Sequence, residues 1–520
     1  MASLGGSIAK VGGNTLLSRI LGFLRDLVIA RLFGADAATD AFFVAFRIPN
    51  ALRRLFAEGA LAMALVPILL EHKRRGGQPA VRAFLDDAAG TLTVGLLTVT
   101  GLGILIAPAL VLLFAPGFAQ DPDQWDLTTQ MLRLTFPYVL LISLAALAGA
   151  ALNTYERFGV PAFTPVLLNL SLIGCAIYLA PRLERPILAL ALGVLLGGVV
   201  QLAFQLPFLA RLGLLPKPRI NPGNPGVRRT LGLMGPVVLG SSAGQINLLL
   251  GTVLASFLTT GSISWLYYSD RLMELPIGIL GAALGTVILP RLSQHHTAGE
   301  PEAFSRTLDW ALRWLLLIGL PAAVGLVVLA GPIVATLFHS AVPGSLSAGA
   351  FDAQDVRMTG HSLAAYAGGL LGFLGVRVLA PAYFARQEMR APVRAALVTV
   401  AVNALLSLAL MGPLGHLGLA LATSLAAWAN AALLWMGLRR GGAYRPTSGW
   451  RSFISQALAA VLAMGLLLHL GSGDLASWIA LAPGQRAIQL IAWILAGTCV
   501  YALVLLLTGL RPRHLREQPG

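Results

Sequence analysis

Apolar runs of about twenty residues recur from one end of this 520-residue chain to the other, and no other feature restricts its fold so strongly. Each run, wound as a helix, is long enough to cross a hydrocarbon core of roughly 30 Å. Charged residues make up 11% of the chain and hydrophobic ones 57%, whereas soluble domains carry about 25% charged residues. The expected fold class is therefore an all-α polytopic membrane protein with about fourteen transmembrane helices. The predicted spans are 8–33, 38–70, 84–114, 128–153, 160–180, 187–210, 230–258, 263–290, 307–338, 357–385, 393–412, 414–438, 452–470 and 487–509. Several exceed twenty residues and contain Pro or Gly, as tilted or bent spanning helices do.

The formal charge of +15 would suggest nucleic acid in a soluble protein. Here most Lys and Arg occupy short gaps between apolar runs, so no nucleic-acid partner is expected. Cys175 and Cys499 lie inside apolar segments and imply no disulfide framework. Arg19, Arg25 and Asp26 interrupt the first run and no small-residue cleavage site follows, so 8–33 is predicted to be a retained helix rather than a signal peptide.

The gaps alternate in basic content. One set holds Lys73, Arg74, Arg75 and Arg82, then Arg211, Lys217, Arg219, Arg228 and Arg229. It continues with Arg386, Arg390 and Arg394, with Arg439, Arg440, Arg445 and Arg451, and with Arg511, Arg513 and Arg516 in the tail. The opposite set is poor in bases, and the gap around Asp121, Asp123 and Asp126 has none. The positive-inside rule puts the basic set and both termini in the cytoplasm.

An internal repeat is visible. Ala60, Leu61, Pro67, Leu69 and His72 recur at the same spacing as Ala283, Leu284, Pro290, Leu292 and His295. Tyr155, Arg157 and Pro161 are echoed more loosely by Phe384, Arg386 and Pro392. Each copy covers about six helices, an even number, so the copies should share orientation about an axis along the membrane normal. The expected domains are an N-lobe at 1–215, a C-lobe at 225–440, and an extra helix pair at 451–510 outside the repeat.

Ionisable residues at membrane depth are the candidate site. The first span carries Arg19, Arg25 and Asp26, the second Asp40, Arg47, Arg53, Arg54 and Glu58, and the eighth Asp270, Arg271 and Glu274. A charge near mid-bilayer costs about 2.5–3.5 kcal/mol on insertion scales, so a helix that keeps several must pair them or face a polar cavity. Arg31, Arg47, Arg133 and Arg313 lie near predicted helix ends, where snorkelling to the headgroups suffices. Arg19, Arg25, Arg53 and Arg271 lie too far inside for that. Pairing alone, such as Asp26 with Arg25 or Arg271, could instead hold a gate. An excess of arginine over acids makes a cationic cavity, and the planar guanidinium fork suits phosphate oxygens. Arg271 and Glu274 share a helix face, and Pro49 and Pro276 free backbone groups nearby. An anionic substrate follows. Glu58 and Asp270 are candidate gate or supporting residues.

The stretch TLLSRILGFLRDLVIARLFGADAATDAFFVAFRIPNALRRLFAEGALAMALVPIL at 15–69 closely resembles the opening of the MurJ (MviN) family. The stretch SWLYYSDRLMELPIGILGAALGTVILPRL at 264–292 resembles the matching part of that family's second lobe. The similarity runs to about residue 440, then more loosely to the end. The family belongs to the MOP exporter superfamily, whose members alternate access between two six-helix lobes. The resemblance implies flipping of lipid II, an undecaprenyl diphosphate bearing a disaccharide-pentapeptide, across the bacterial inner membrane for peptidoglycan synthesis. It implies Arg19, Arg25, Asp26, Asp40, Arg53, Arg271 and Glu274 as functional charges. The diphosphate would lie near Arg25, Arg53 and Arg271, with Asp26 and Glu274 orienting them. Segment 451–510 would form a groove for the polyprenyl tail. Some relatives bind sodium through an acid; the equivalent helices here offer only neutral groups such as Gln245, Asn247, Asn403 and Ser407, so sodium coupling is not expected. No cofactor or metal is implied. The expected partners are lipid II, membrane lipids and the cell-wall synthesis machinery, with the chain a monomer.

Two other classes compete. A multidrug exporter of the MATE type predicts a carboxylate-dominated cavity, and a flippase for another polyprenyl-linked glycan shares the phosphate logic. An intramembrane enzyme needs clustered acids or His, but His295 and His296 read as solvated, and His339 and His361 as single structural residues. No P-loop, CxxC, HExxH or nucleophile elbow is present. A transporter, not an enzyme, is expected.

Overall fold

The computed structural model describes residues 4–54, 61–340 and 351–510. Helix α1 covers Leu4–Phe33, α2 Ala37–Leu52, α3 Ala62–Leu105, α4 Ala107–Phe114 and α5 Pro122–Thr135. Next come α6 (Tyr138–Thr154), α7 (Gly159–Gly174), α8 (Leu188–Arg211), α9 (Pro225–Ala255) and α10 (Ser262–Thr297). Beyond these lie α11 (Pro301–Val328), α12 (Ala330–Leu337), α13 (Ala353–Ala367), α14 (Leu370–Ala385), α15 (Arg390–Leu414) and α16 (His416–Arg440). The chain ends in α17 (Trp450–Gly471), the short α18 (Leu475–Ala480) and α19 (Pro483–Leu507). Among the described residues, ten helical segments are long and apolar enough to cross a membrane. The protein is an all-helical, multi-pass membrane protein.

Several expected spans are pairs of helices. The break after α3 falls at Ile106, with Pro108 in the first turn of α4, and the break after α5 falls at Phe136–Pro137. The break after α11 precedes Gly331 and Pro332, and Gly368–Gly369 separates α13 from α14. Proline lacks the donor an uninterrupted helix needs, and glycine, the most conformationally free residue, weakens helix at such a joint. Conversely, the predicted gap after residue 70 is a kink within α3 at Gly77, whose φ of 63° and ψ of −155° suit glycine.

The chain divides into two compact units, one running to Ser264 and the other beginning at Trp265. In the first, α1 packs on α7, α7 on α8, α6 between α3 and α8, and α2 on α5. The segment after α8 is strapped along α3: the Lys217 N–H donates to Asp86 Oδ1 at 2.7 Å, and Asn221 and Asn224 both donate to Asp87 Oδ2 at 2.8 Å. Gly90 permits this approach, since a Cβ there would lie 2.2 Å from the Arg219 carbonyl oxygen.

In the second unit, α16 packs against α13, α14 and α15, and α11 contacts α14 and α17. The α17–α19 pair is anchored by Arg486, 2% exposed, which donates to the carbonyls of Ala335, His339, Ile479 and Leu481. Its cation also suits the C-terminal end of α12. His339, outside the spanning helices, bonds the Phe351 carbonyl through Nδ1, and burial holds its imidazole below the usual range.

The same local devices recur in order in both units. Ile106 (φ −89°, ψ 11°) and Leu329 (φ −94°, ψ 14°) each precede a helix of 8 residues, α4 and α12. Asp121 caps α5 and Asp352 caps α13 through their side chains. Glu156 and Gln387 both take φ of 60° after α6 and α14, the only non-glycine positive φ values among the described residues. Each is followed by a return bond of 3.0 Å, from the Arg157 N–H to the Leu152 carbonyl and from the Glu388 N–H to the Tyr383 carbonyl. Such matched detail fits an internal duplication, because these turns depend on different side chains in the two copies.

Candidate functional site

Within the first unit, α1 brings Arg25 (7% exposed) and Asp26 (2%) into its interface with α7. Arg25 Nη2 and Nε donate to Asp26 Oδ1 at 2.6 and 3.0 Å, and Nη1 donates to Asn169 Oδ1 at 3.1 Å. Asn169 in turn donates to the Ser18 carbonyl of α1 at 3.2 Å. A carboxylate and an amide thus both engage the buried guanidinium and orient its fork. Arg19, by contrast, is exposed on the same helix.

Asp40 lies at the start of α2 and is 2% exposed. Its Oδ2 accepts the Gly261 N–H at 2.7 Å, and its Oδ1 accepts the N–H and hydroxyl of Ser264 at 2.8 and 2.5 Å. Both oxygens are therefore engaged by the turn that starts α10, where N–H groups lack intrahelical partners. Further along α2, Arg47 donates to Thr252 Oγ1 of α9 at 2.6 Å, a bond that replaces the expected snorkelling. Arg53 follows the end of α2 and donates to Asn50 Oδ1 at 3.0 Å. Glu58 lies outside the described residues.

Within the second unit, α10 pairs Arg271 Nη1 with Glu274 Oε2 at 2.6 Å. The Arg271 guanidinium also lies 5.1 Å from the Tyr267 ring centre, one turn earlier, in cation–π range. Asp270 is half-buried beside it. Asn403 and Ser407 are buried one turn apart on α15. Among the described residues, no group of three or more His, Cys, Asp or Glu could hold a metal ion.

The family model described as lipid II flippase MurJ matches residues 29–481. This chain belongs to the MurJ family. A Vibrio cholerae relative called probable lipid II flippase MurJ is 44% identical over 514 residues, covering 97% of this chain and 96% of the relative. A Burkholderia cenocepacia relative called lipid II flippase MurJ is 40% identical over 511 residues, covering 97% and 96%. A solved lipid II flippase MurJ in an inward closed conformation is similar with a TM-score of 0.77 at 26% identity, covering 95% of this chain and 97% of that one. A MATE multidrug transporter of the MOP superfamily, solved inward-facing, shares the fold with a TM-score of 0.65 at 15% identity, covering 82% and 95%.

In this MurJ family member, sequence reasoning missed several partners of the expected charges, three of them instructive. Asn169, an amide inside an apolar run, was the most legible of them. Thr252, opposite Arg47, is indistinguishable in sequence from a helix threonine bonded to its own backbone, a bond it also makes with the Leu248 carbonyl. A third is Asp309 on α11, 3% exposed, which binds Arg313 Nε, Tyr444 Oη, Thr447 Oγ1 and Trp450 Nε1 at 2.6–3.0 Å. Arg313 is therefore held inside the protein rather than snorkelling.

Proposed function

We propose that this chain moves lipid II from the cytoplasmic to the periplasmic leaflet of the bacterial inner membrane, for peptidoglycan synthesis, by alternating access. The observation that carries the proposal is a likeness of 40–44% identity, along nearly the whole chain, to relatives called lipid II flippases. The geometry supports it: Arg25 and Arg271, both inside predicted spans, are each paired with a neighbouring carboxylate, and a guanidinium suits phosphate oxygens.

In this proposal Arg25, Arg53 and Arg271 receive the diphosphate, and Asp26 and Glu274 hold Arg25 and Arg271. Arg19 and Asp40 belong to the cavity, Arg19 adding positive potential, and Glu58 and Asp270 serve as gate or support. The lobes are 1–215 and 225–440, the pair 451–510 guides the polyprenyl tail, and both termini are cytoplasmic. The chain works as a monomer beside the cell-wall synthesis machinery. The test is depletion of the protein in growing cells, with lipid II probed from outside. Loss of externally accessible lipid II, with intracellular lipid II rising, supports a flippase. Unchanged external lipid II would remove the function.

A further inference from the structure

The second unit contains an apolar cavity of about 490 Å³ between α11, α14, α16 and α17, and none of the charges assigned to the substrate is in its lining. Leu312, Leu371, Trp428, Ala432, Trp435 and Ile454 line it, together with Tyr444, Pro446 and Trp450. Trp428 and Ile454 remain 43% and 41% exposed, so the cavity opens at a surface of membrane-spanning helices. Tyr444 and Pro446 belong to the link 441–449, among the most basic gaps of the chain. Arg439, Arg440, Arg445 and Arg451 are all exposed there, and the sequence from 439 to 454 contains no Asp or Glu. The arginines adjoin the lining. Arg439 lies 5.0 Å from the Trp435 ring centre, Arg445 sits between Tyr444 and Pro446, and Arg451 follows Trp450. The link itself is fixed, because Tyr444, Thr447 and Trp450 all bond Asp309.

We propose that this cavity is a binding site for an anionic glycerophospholipid, one acyl chain lying among the three tryptophans and the phosphate among the four arginines. Two features select this occupant. An acyl chain gains little by leaving bulk lipid for an apolar wall, so affinity must come from the headgroup. The headgroup end offers excess positive charge beside Trp435 and Trp450, the arrangement found where a membrane protein meets lipid phosphates. A zwitterionic lipid would bring its own cation to the arginines and lose that advantage. The proposal does not depend on which substrate the protein transports.

Native mass spectrometry of the full chain in neutral detergent tests it, with phosphatidylglycerol and phosphatidylcholine offered at equal concentration. Wild type should retain phosphatidylglycerol more strongly, by about fivefold for each arginine engaged. Arg439→Gln, Arg440→Gln, Arg445→Gln and Arg451→Gln combined should abolish the preference. Ala432→Phe, which fills the cavity and keeps every charge, should also lower phosphatidylglycerol retention. Equal retention of the two lipids by wild type would overturn the proposal. So would phosphatidylglycerol retention that survives Ala432→Phe, since the headgroup would then bind without a chain in the cavity. Displacement of phosphatidylglycerol by equimolar undecaprenyl phosphate would overturn it too, by assigning the cavity to a polyprenyl tail.

Discussion

Replacing Asp40 separates two roles that its sequence position alone leaves merged. If Asp40 ties α2 to the turn that starts α10, Asp40→Ala strands the N–H groups of Gly261 and Ser264 in a buried setting. The Ser264 hydroxyl can turn to another acceptor, so its loss is smaller. Two stranded N–H groups at about 1–3 kcal/mol each put the cost near 4 kcal/mol. Asp40→Asn keeps an acceptor oxygen for one of the two and turns an amide donor toward the other, so it should cost on the order of half as much. Ser264→Ala removes only the hydroxyl bond, about 1 kcal/mol. The assay is the thermal midpoint of the purified full chain in detergent, read beside complementation of a depleted strain. The expected order of midpoints is wild type, Ser264→Ala, Asp40→Asn, Asp40→Ala, with the last lower by several degrees. An Asp40→Ala protein with a wild-type midpoint, but no complementation, would refute the tie and return Asp40 to substrate or gating chemistry.

Arg25→Ala and Arg271→Ala should abolish complementation at normal membrane levels, and the Lys replacements should restore it in part, because a point charge lacks the bidentate fork; full function of both Ala variants would remove these residues from the site. Asn169→Leu should reduce function less than Arg25→Ala, since Asp26 still holds the guanidinium, and equal loss would give the amide a direct role. Cysteines placed at 76 and 222 should resist an impermeant reagent in intact cells and one at 122 should react, in a background lacking Cys175 and Cys499; outside labelling at 76 would reverse the topology. Flipping should respond to membrane potential, worth about 2.3 kcal/mol per charge per 100 mV, and not to sodium. A sodium requirement at constant potential would contradict the neutral character of Asn403 and Ser407.

Helix content and membrane insertion were legible because uninterrupted apolar length is a one-dimensional signal. The terminal pair, expected at 452–470 and 487–509, forms at Trp450–Gly471 and Pro483–Leu507. The repeat was legible at 60–72 and 283–295, but its sharper signature was not. The φ values at Glu156 and Gln387 are set by turn geometry, which glutamate and glutamine do not advertise. Joints inside spans were missed because a proline or glycine in an apolar run reads equally as a bend or a break. Charges inside predicted spans stood out by their cost, and Arg25 and Arg271 each have the acidic neighbour that the sequence offered. Their remaining partners come from distant segments: Asn169 is 144 positions from Arg25, Thr252 205 from Arg47 and Ser264 224 from Asp40. No local pattern encodes such pairs. Asp309 and Arg486 were overlooked for a related reason, since each lies near a predicted helix end where a charge is ordinarily solvated.

The central claim is that this chain carries a lipid-linked diphosphate across a bilayer through its membrane-depth arginines. Its most direct test is reconstitution of the purified full chain into vesicles loaded with fluorescent lipid II on one leaflet, with an impermeant probe reporting arrival on the other. The account predicts protein-dependent transfer that Arg25→Ala and Arg271→Ala remove while reconstitution yield stays constant. Transfer by the double variant at the wild-type rate, or none by wild type under an imposed membrane potential, would contradict it.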